Sequence, residues 1–297
     1  MMLRVSDSDA AISPAACAPA VIAPFAGPAV LQRTSGDGRI VVDRSPSGAH
    51  RLVRLRQAGA AKILCPRNHQ DGAFEAVLLN TAGGLAGGDH LHWDVGAGPG
   101  ATLRVTTQTA ERVYRSTGDD ALVATRLEAG PDATLEWLPQ ETILFDGARL
   151  SRTLSIDLAE DAGLLAVEAV VLGRRAFGER VRSGFLRDHW RVRRGGRLIH
   201  ADSVRIDGDI AALCDRPGTL GGAQAFATLL LAGPAQVPID DLRAMLPAGE
   251  GLDAAASALP HVTLVRIVAA HGDILRPALA GLLHALRGAA LPRVWQS

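Results

Sequence analysis

The chain is poor in aromatic residues: 4% of its 297 positions, with Tyr114 the only tyrosine. Aromatic platforms of the kind that secreted polysaccharide-acting enzymes use are therefore not expected. Cysteine is scarce as well. Cys17, Cys65 and Cys214 are odd in number and far apart, with no CxxC, which excludes a disulfide framework or a structural zinc site and fits a reducing cytoplasm. No uninterrupted apolar run reaches about 18 residues, so no segment is expected to span a membrane. There is no surplus of charge either: Lys and Arg balance Asp and Glu. That balance argues against nucleic acid as the main partner, because neutralising phosphates needs excess cations. Lysine is nearly absent, Lys62 being the only one. Base composition of the genome accounts for that bias, and arginine also suits carboxylate pairing at interfaces.

What is present is apolar residues, 47% of the chain, enough for a sizeable core. The first 45 residues are rich in Ala, Pro, Gly and Ser without a period. Asp7 and Asp9 spoil the basic start of a signal peptide, and Pro14, Pro19 and Pro24 break its apolar stretch. Residues 1–45 are expected to be a disordered tail, and residues 46–297 a single β-rich domain. "HLHWDVG" alternates Leu91, Trp93 and Val95 with His90, His92 and Asp94. "ATLRVTT" sets Leu103 and Val105 against Thr102, Arg104 and Thr106, and "FLRDHWRVRR" sets Leu186, Trp190 and Val192 against Arg187, His189, Arg191 and Arg193. "LLAVEAVVL", "RLIHADSVRI", "AFATLLL" and "VTLVRIVAA" read as further strands, punctuated by Gly, Pro and Asp at all-β spacing.

"AGPGATLRVTTQ" at 97–108 reappears as "AGPDATLEWLPQ" at 129–140, a spacing of 32 residues, with a fainter third copy from Ile156. Each copy reads as strand, turn, strand, and such a unit must stack on its neighbours to bury its apolar face. The expected fold is mainly β: many short strands in stacked or helically wound sheets, with a few helices. One helix lies near the C-terminus, where Leu275, Leu279, Leu282, Leu283 and Leu286 make one stripe, Asp273 can cap the start and Gly288 the end. "PIDDLRAML" at 238–246 is a shorter candidate. Trp295 either docks into the fold or lies on a partner, with docking the expectation.

Among motifs, "NTAGGLAGGD" (80–89) is the most conspicuous. Its GGxxGG spacing is not a dinucleotide fingerprint, and Asp89 stands where a Walker A loop needs lysine. Gly83, Gly84, Gly87 and Gly88 suit a tight crossover between strands. Asp89 either caps that turn or faces a polar interior. His90, His92 and Asp94 share a strand face and could reach one metal ion; a solvated polar face is the alternative. Glu141 and Asp146 flank one short strand in "PQETILFDG", and Glu168 stands alone in an apolar strand, where a carboxylate needs a partner, an arginine or a cation. Glu179 follows in "RRAFGE". "TTQTAERVYRS" packs Thr106, Thr107, Gln108, Glu111, Tyr114 and Arg115 into a hydrogen-bonding network or a recognition surface. No GxSxG or HExxH occurs, and nothing in the spacing assembles Ser116, His189 and Asp202 into a triad.

Together these segments, with "QAGAAKILCPR", "WRVRRGGRLIHAD" and "LRGAALPRVWQS", keep one order from about residue 50 to the end. They resemble the urease accessory protein UreD family, called UreH in some bacteria. The resemblance implies a nickel-insertion chaperone rather than an enzyme: a β-rich cytoplasmic protein that binds apo-urease and UreF, and UreG through UreF, within an accessory complex that can be dimeric. It holds no permanent cofactor, and nickel passes in transit along a polar tunnel. The resemblance places that path on Glu141, Asp146, Glu168 and Glu179, with Asp89 a further candidate. Oxygen ligands hold such an ion loosely, as a conduit requires. Asn80 departs from the histidine expected there in many relatives. The competing class is a metal-dependent β-helical hydrolase using the His90, His92 and Asp94 face.

Overall fold

The repeated Ala-Gly-Pro segments are corners, and they sit one on another. Gly130 N–H donates to Ala97 O at 2.8 Å, and Thr134 N–H to Ala101 O at 2.8 Å. The fainter third copy takes the next level: Ala159 N–H donates to Ala129 O and Gly163 N–H to Ala133 O, both at 2.8 Å. Equivalent corner positions Gly100 and Asp132 both have positive φ, +66° and +54°. Asp and Gly are the residues that tolerate this.

The computed structural model describes residues 32–67, 71–234 and 237–296. The chain begins with β1 (Ser35–Arg44), β2 (His50–Gly59) and β3 (Ala61–Leu64), then enters β4 (Phe74–Asn80) and β5 (His90–Ala97). Three turns follow: β6 (Thr102–Thr107), β7 (Glu111–Val113) and β8 (Ala121–Ala129); β9 (Thr134–Leu138), β10 (Thr142–Leu144) and β11 (Arg149–Leu158); then β12 (Gly163–Leu172) and β13 (Ser183–Arg194). Like strands of successive turns pair in parallel, β1, β5, β8, β11 and β13 in one sheet and β4, β6, β9 and β12 in a second. The short β7 and β10 pair in parallel as a third face, which ends on the last residues of β12. The strands are therefore helically wound, as expected.

After β13 the winding stops. The chain reverses into β14 (Arg197–Asp209), antiparallel to β13, and passes through α1 (Ile210–Cys214). Strand β15 (Ala225–Ala232) adds antiparallel to β12; α2 (Ile239–Ala244), β16 (Leu252–Ala258), β17 (Thr263–Ala269) and α3 (Gly272–Arg287) complete the chain.

Two cores result. One lies between the sheets, where Ile40, Leu103, Leu127, Leu135, Ile156 and Leu186 meet. The other lies on the far side of the second sheet, where Val167, Leu229 and Ile267 meet Leu275, Leu279, Leu282 and Leu283 of α3. Burial on both faces explains the near-continuous apolar run of β12. It also corrects the expectation for β6: Arg104 and Thr106, on its supposed polar face, are both buried. Arg104 bonds Glu136 and Asp71 at 2.5 Å each, and Arg287 at the end of α3 bonds the same two carboxylates at 3.0 and 3.3 Å.

Residues 1–31 of the expected tail lie outside the described residues. Ser35–Arg44, inside the same span, is not tail but β1, whose Ile40 and Val42 are fully buried. The preceding Ala/Pro composition masks that short alternation. The helix cap also differs: His271 is the N-cap of α3 without a side-chain bond, while Asp273 pairs with Arg175 at 2.8 Å. Gly288 does end the helix, with φ +61°. Trp295 docks: it is buried, and its Nε1–H is shared between Thr106 Oγ1 and Leu138 O, both 3.2 Å away. Truncating Trp295 to alanine should destabilise the fold by about 3–5 kcal/mol, read as a lowered urea midpoint at unchanged slope.

Candidate functional site

Three inward-facing charged residues meet between the two sheets. Arg152 shares the inner side of β11 with Leu150 and Leu154, and Asp188 shares that of β13 with Leu186 and Trp190. Parallel pairing puts Arg152 beside Asp188 in register. The guanidinium forks onto it, Nε to Oδ1 at 3.2 Å and Nη2 to Oδ2 at 2.5 Å. Its Nη1 donates to Thr142 Oγ1 at 3.1 Å and to Glu168 Oε2 on β12. Glu168 Oε1 accepts from Trp137 Nε1–H at 2.9 Å. All three charged groups are under 10% exposed.

Two carboxylates thus share one guanidinium in a dry interior. Desolvation raises the Glu168 pKa and the neighbouring Asp188 charge adds to it, while Arg152 opposes them. Desolvation would lower the Arg152 pKa, but the two carboxylates raise it above its ordinary value.

The polar line continues toward the β14 end. Thr228 of β15 lies beside Glu168 in register, and Arg266 of β17 lies beside Thr228. Arg266 donates to Thr228 Oγ1 at 3.3 Å and to Asp202 Oδ2 of β14 at 2.6 Å. A cavity of about 250 Å³ opens here, lined by Thr228, Arg266, Ile206, Phe226, Leu213 and Cys214. His200, nearby on β14, has its pKa lowered by desolvation, and its Nε2 is buried without a partner. Interior positions Glu168 and Asp188 and half-exposed Arg266 therefore belong to one polar series.

The remaining carboxylates sit elsewhere. Glu141 and Asp146 do flank β10. Glu141 pairs with Arg276 of α3 at 2.9 Å, beside a cleft of about 1030 Å³ that Tyr114, Phe145 and Phe177 also line. Asp146 Oδ1 accepts the backbone N–H groups of Arg182 and Ser183 at 2.8 and 3.1 Å, and Oδ2 meets Arg115 at 2.8 Å. Those backbone bonds hold its pKa below the usual range. Glu179 forks with Arg174, which lowers its pKa too, and accepts from Asp146 N–H at 3.3 Å. Asp146 and Glu179 are therefore neighbours, whereas the five carboxylates do not meet at one point.

Asp89 resolves toward the turn. Its two oxygens accept Thr34 N–H and Ala86 N–H, each at 2.7 Å. Gly83, Gly84 and Gly88 have positive φ, and a Cβ on Gly84 would run into the Tyr114 ring. Tyr114 Oη donates to Gly83 O at 2.8 Å, so the polar segment braces the glycine turn. Thr107 Oγ1 accepts Gln140 N–H at 2.9 Å, and Gln108 N–H donates to Leu78 O. Glu111 accepts from Asn80 Nδ2 at 3.3 Å, and desolvation pushes its pKa up to about 7.

The histidine face does not assemble. His92 bonds Asp37 at 3.2 Å, Asp94 pairs with Arg39 at 3.1 Å, and His90 is exposed. Among the described residues no three His, Cys, Asp or Glu side chains converge as a metal site. Nor is there a triad: His189 bonds Ser203, and Asp202 bonds Arg266.

Arg152, Asp188, Thr228 and Arg266 are not singled out by the sequence. For the first two a signal exists, since each is a charge at an apolar parity position of its strand. Arg266 carries the same signal between Leu264 and Val268, whereas Thr228 carries none, and only tertiary pairing brings β15 and β17 to the site.

Comparison with known proteins gives this arrangement its context. Residues 34–296 match the family model described as UreD urease accessory protein. The chain is 49% identical over 274 residues to the urease accessory protein UreD of a Chelativorans species, covering 91% of this chain and 96% of that one. It is 48% identical over 266 residues to that of Rhizobium rhizogenes, covering 89% and 96%, and 46% identical over 270 residues to that of Agrobacterium fabrum, covering 90% and 93%.

Two outcomes test the electrostatics. The folded-state pKa of Glu111 stands above its ordinary 4.5, so the protonated acid favours the fold. Its contribution, up to about 3 kcal/mol, is full below pH 4.5 and lost as pH rises through about 7. Glu111→Gln should therefore flatten the urea midpoint between those two pH values and raise it at pH 8. Replacing Arg152 by methionine should cost about 3–5 kcal/mol at neutral pH. Without the guanidinium, desolvation of Glu168 goes unopposed and keeps its folded-state pKa raised, so part of that loss should return as pH falls, read by the same unfolding curves.

Proposed function

The chain belongs to the UreD family of urease accessory proteins, and from this premise we propose that it is a non-catalytic scaffold that binds apo-urease and the UreF–UreG accessory proteins and helps deliver nickel into the urease active site. A role in urease maturation follows from the family. The finer reading takes its support from one observation: the interior holds two carboxylates for one guanidinium, in series with Thr228, Arg266 and Asp202.

Such a series suits a divalent ion in passage. Carboxylate oxygens are hard ligands, and an arginine already bonded to them competes with the ion, which keeps binding weak. A surplus of negative charge lowers the cost of taking a cation between the sheets. Nickel is cargo on this reading, and no resident cofactor is required. Glu141 and the neighbouring Asp146 and Glu179 lie outside the interior, where they can act at the entrance of a path or at a partner surface. Asp89 lies apart from this interior series, at the glycine turn, where its oxygens accept Thr34 N–H and Ala86 N–H. The proposed setting is the cytoplasm; no helix among the described residues is long and apolar enough to cross a membrane.

The direct test is a urease operon with this gene deleted, assayed for urease activity and for nickel bound to purified urease. Nickel content and activity should fall together while the urease subunits still assemble. Full activation without the gene would overturn the maturation role. The Glu168→Gln variant tests the conduit alone, since it keeps the shape and removes the charge. Urease should still co-purify with the variant yet carry less nickel, and unchanged nickel loading would remove the interior path from the reading.

A further inference from the structure

Among the described residues nothing caps the β2 end of the winding. Strand β2 is the last strand of the first sheet and β3 the last of the second. One has ten residues and the other four, so β3 cannot cover the inner side of β2. The large apolar residues at its inward positions are Leu52 and Leu55, register partners of the fully buried Val42 and Ile40. Yet Leu52 is 38% exposed and Leu55 41%. Here the inner face of the sheet runs on past the core that should bury it. Val53, at a register shift, is 49% exposed.

The charged residues on the outer side of the same strand are all cations. Arg51, Arg54 and Arg56 are register partners of Asp43, Val41 and Arg39. Arg56 reaches Asp37 at 3.1 Å, while Arg51 and Arg54 enter no ion pair among the described residues. From Ser45 to Gln70 the chain has five Lys or Arg and no Asp or Glu, in a protein of zero net charge. Among the described residues, the edge of β2 away from β1 pairs with no strand.

A ten-residue edge with one apolar and one cationic side is a template for a further strand. A second copy of this chain does not suit it: an antiparallel pair of β2 strands would set arginine against arginine. We propose that the β2 edge docks an extended acidic segment of a partner protein, which adds a strand beside β2 with apolar side chains over Leu52 and Leu55 and alternate carboxylates over Arg51 and Arg54. The proposal rests on this edge alone and stands apart from the interior path.

The test uses the full chain and a fluorescein-labelled ten-residue peptide of alternating valine and glutamate, with a valine–lysine peptide as control. Anisotropy should show saturable binding of the glutamate peptide only, weakened by salt. Amide exchange should slow in residues 50–59 on binding. The double variant Arg51→Glu, Arg54→Glu should weaken the glutamate peptide by at least about tenfold and gain the lysine peptide. If that variant fails to fold, Leu55→Asn removes apolar contact alone and should also weaken binding. Equal binding of both peptides, affinity unchanged in the variants, or protection outside β2 would each overturn the proposal. So would a dimer of the free chain that dissociates on charge reversal, since the occupant would then be a second copy.

Discussion

Each strand of the winding has hydrogen-bonding groups on both edges, and only the turns before and after it can satisfy them. The corners make this possible. Ala97, Ala129 and Leu158 stand in one column, Gly130 N–H and Ala159 N–H each donate to the carbonyl one level back across 2.8 Å, and any corner of different length would throw the next strand out of register. Positive φ at Gly100 and Asp132 keeps the corners alike. Everything else hangs on that column. It aligns Arg152 with Asp188, stacks Leu127 on Ile156, and sets Thr102 beside Thr134.

Parallel stacking also dictates what the interior can hold. A residue facing inward on one turn has its register partner facing inward on the next. A lone charge there would be costly, but adjacent turns can supply its partner at the same position. Arg152 and Asp188 are such a pair, and Glu168 reaches them from the opposite sheet. The cluster therefore spans three strands and both sheets. Its imbalance of charge is what separates it from an ordinary buried ion pair, and Thr228 of β15 and Arg266 of β17 continue the polar line toward the cavity.

Local pattern is legible where local pattern decides the outcome. Alternation alone puts Leu91, Trp93 and Val95 inward, and the 32-residue echo marks two stacked corners. The leucine stripe of α3 and its Gly288 end follow from helical geometry. Non-local packing is not legible. Arg104 reads only as part of a polar face with Thr102 and Thr106, because nothing in "ATLRVTT" shows that α3 and its Arg287 cover that face. The partner of Glu168 can be foreseen as an arginine in kind but not in position, since Arg152 meets it across the gap between sheets. Asp188 escapes notice because its strand is read through its apolar members. Strand β1 is lost in the composition of the residues before it.

Arginine ties these observations together. Its near-exclusive use in place of lysine has a compositional explanation, but the structure exploits the geometry that lysine lacks. Arg152 uses three nitrogens on Asp188, Thr142 and Glu168 at once. Arg104 and Arg287 use theirs to grip Asp71 and Glu136 from the sheet and from α3. A lysine ammonium is a point charge and could not span either set in one plane. A fork bonded at several atoms also fixes where each carboxylate oxygen points. In the outer cluster that rigidity fastens helix to sheet. In the interior it ties Glu168 of one sheet to Asp188 of the other through a single guanidinium.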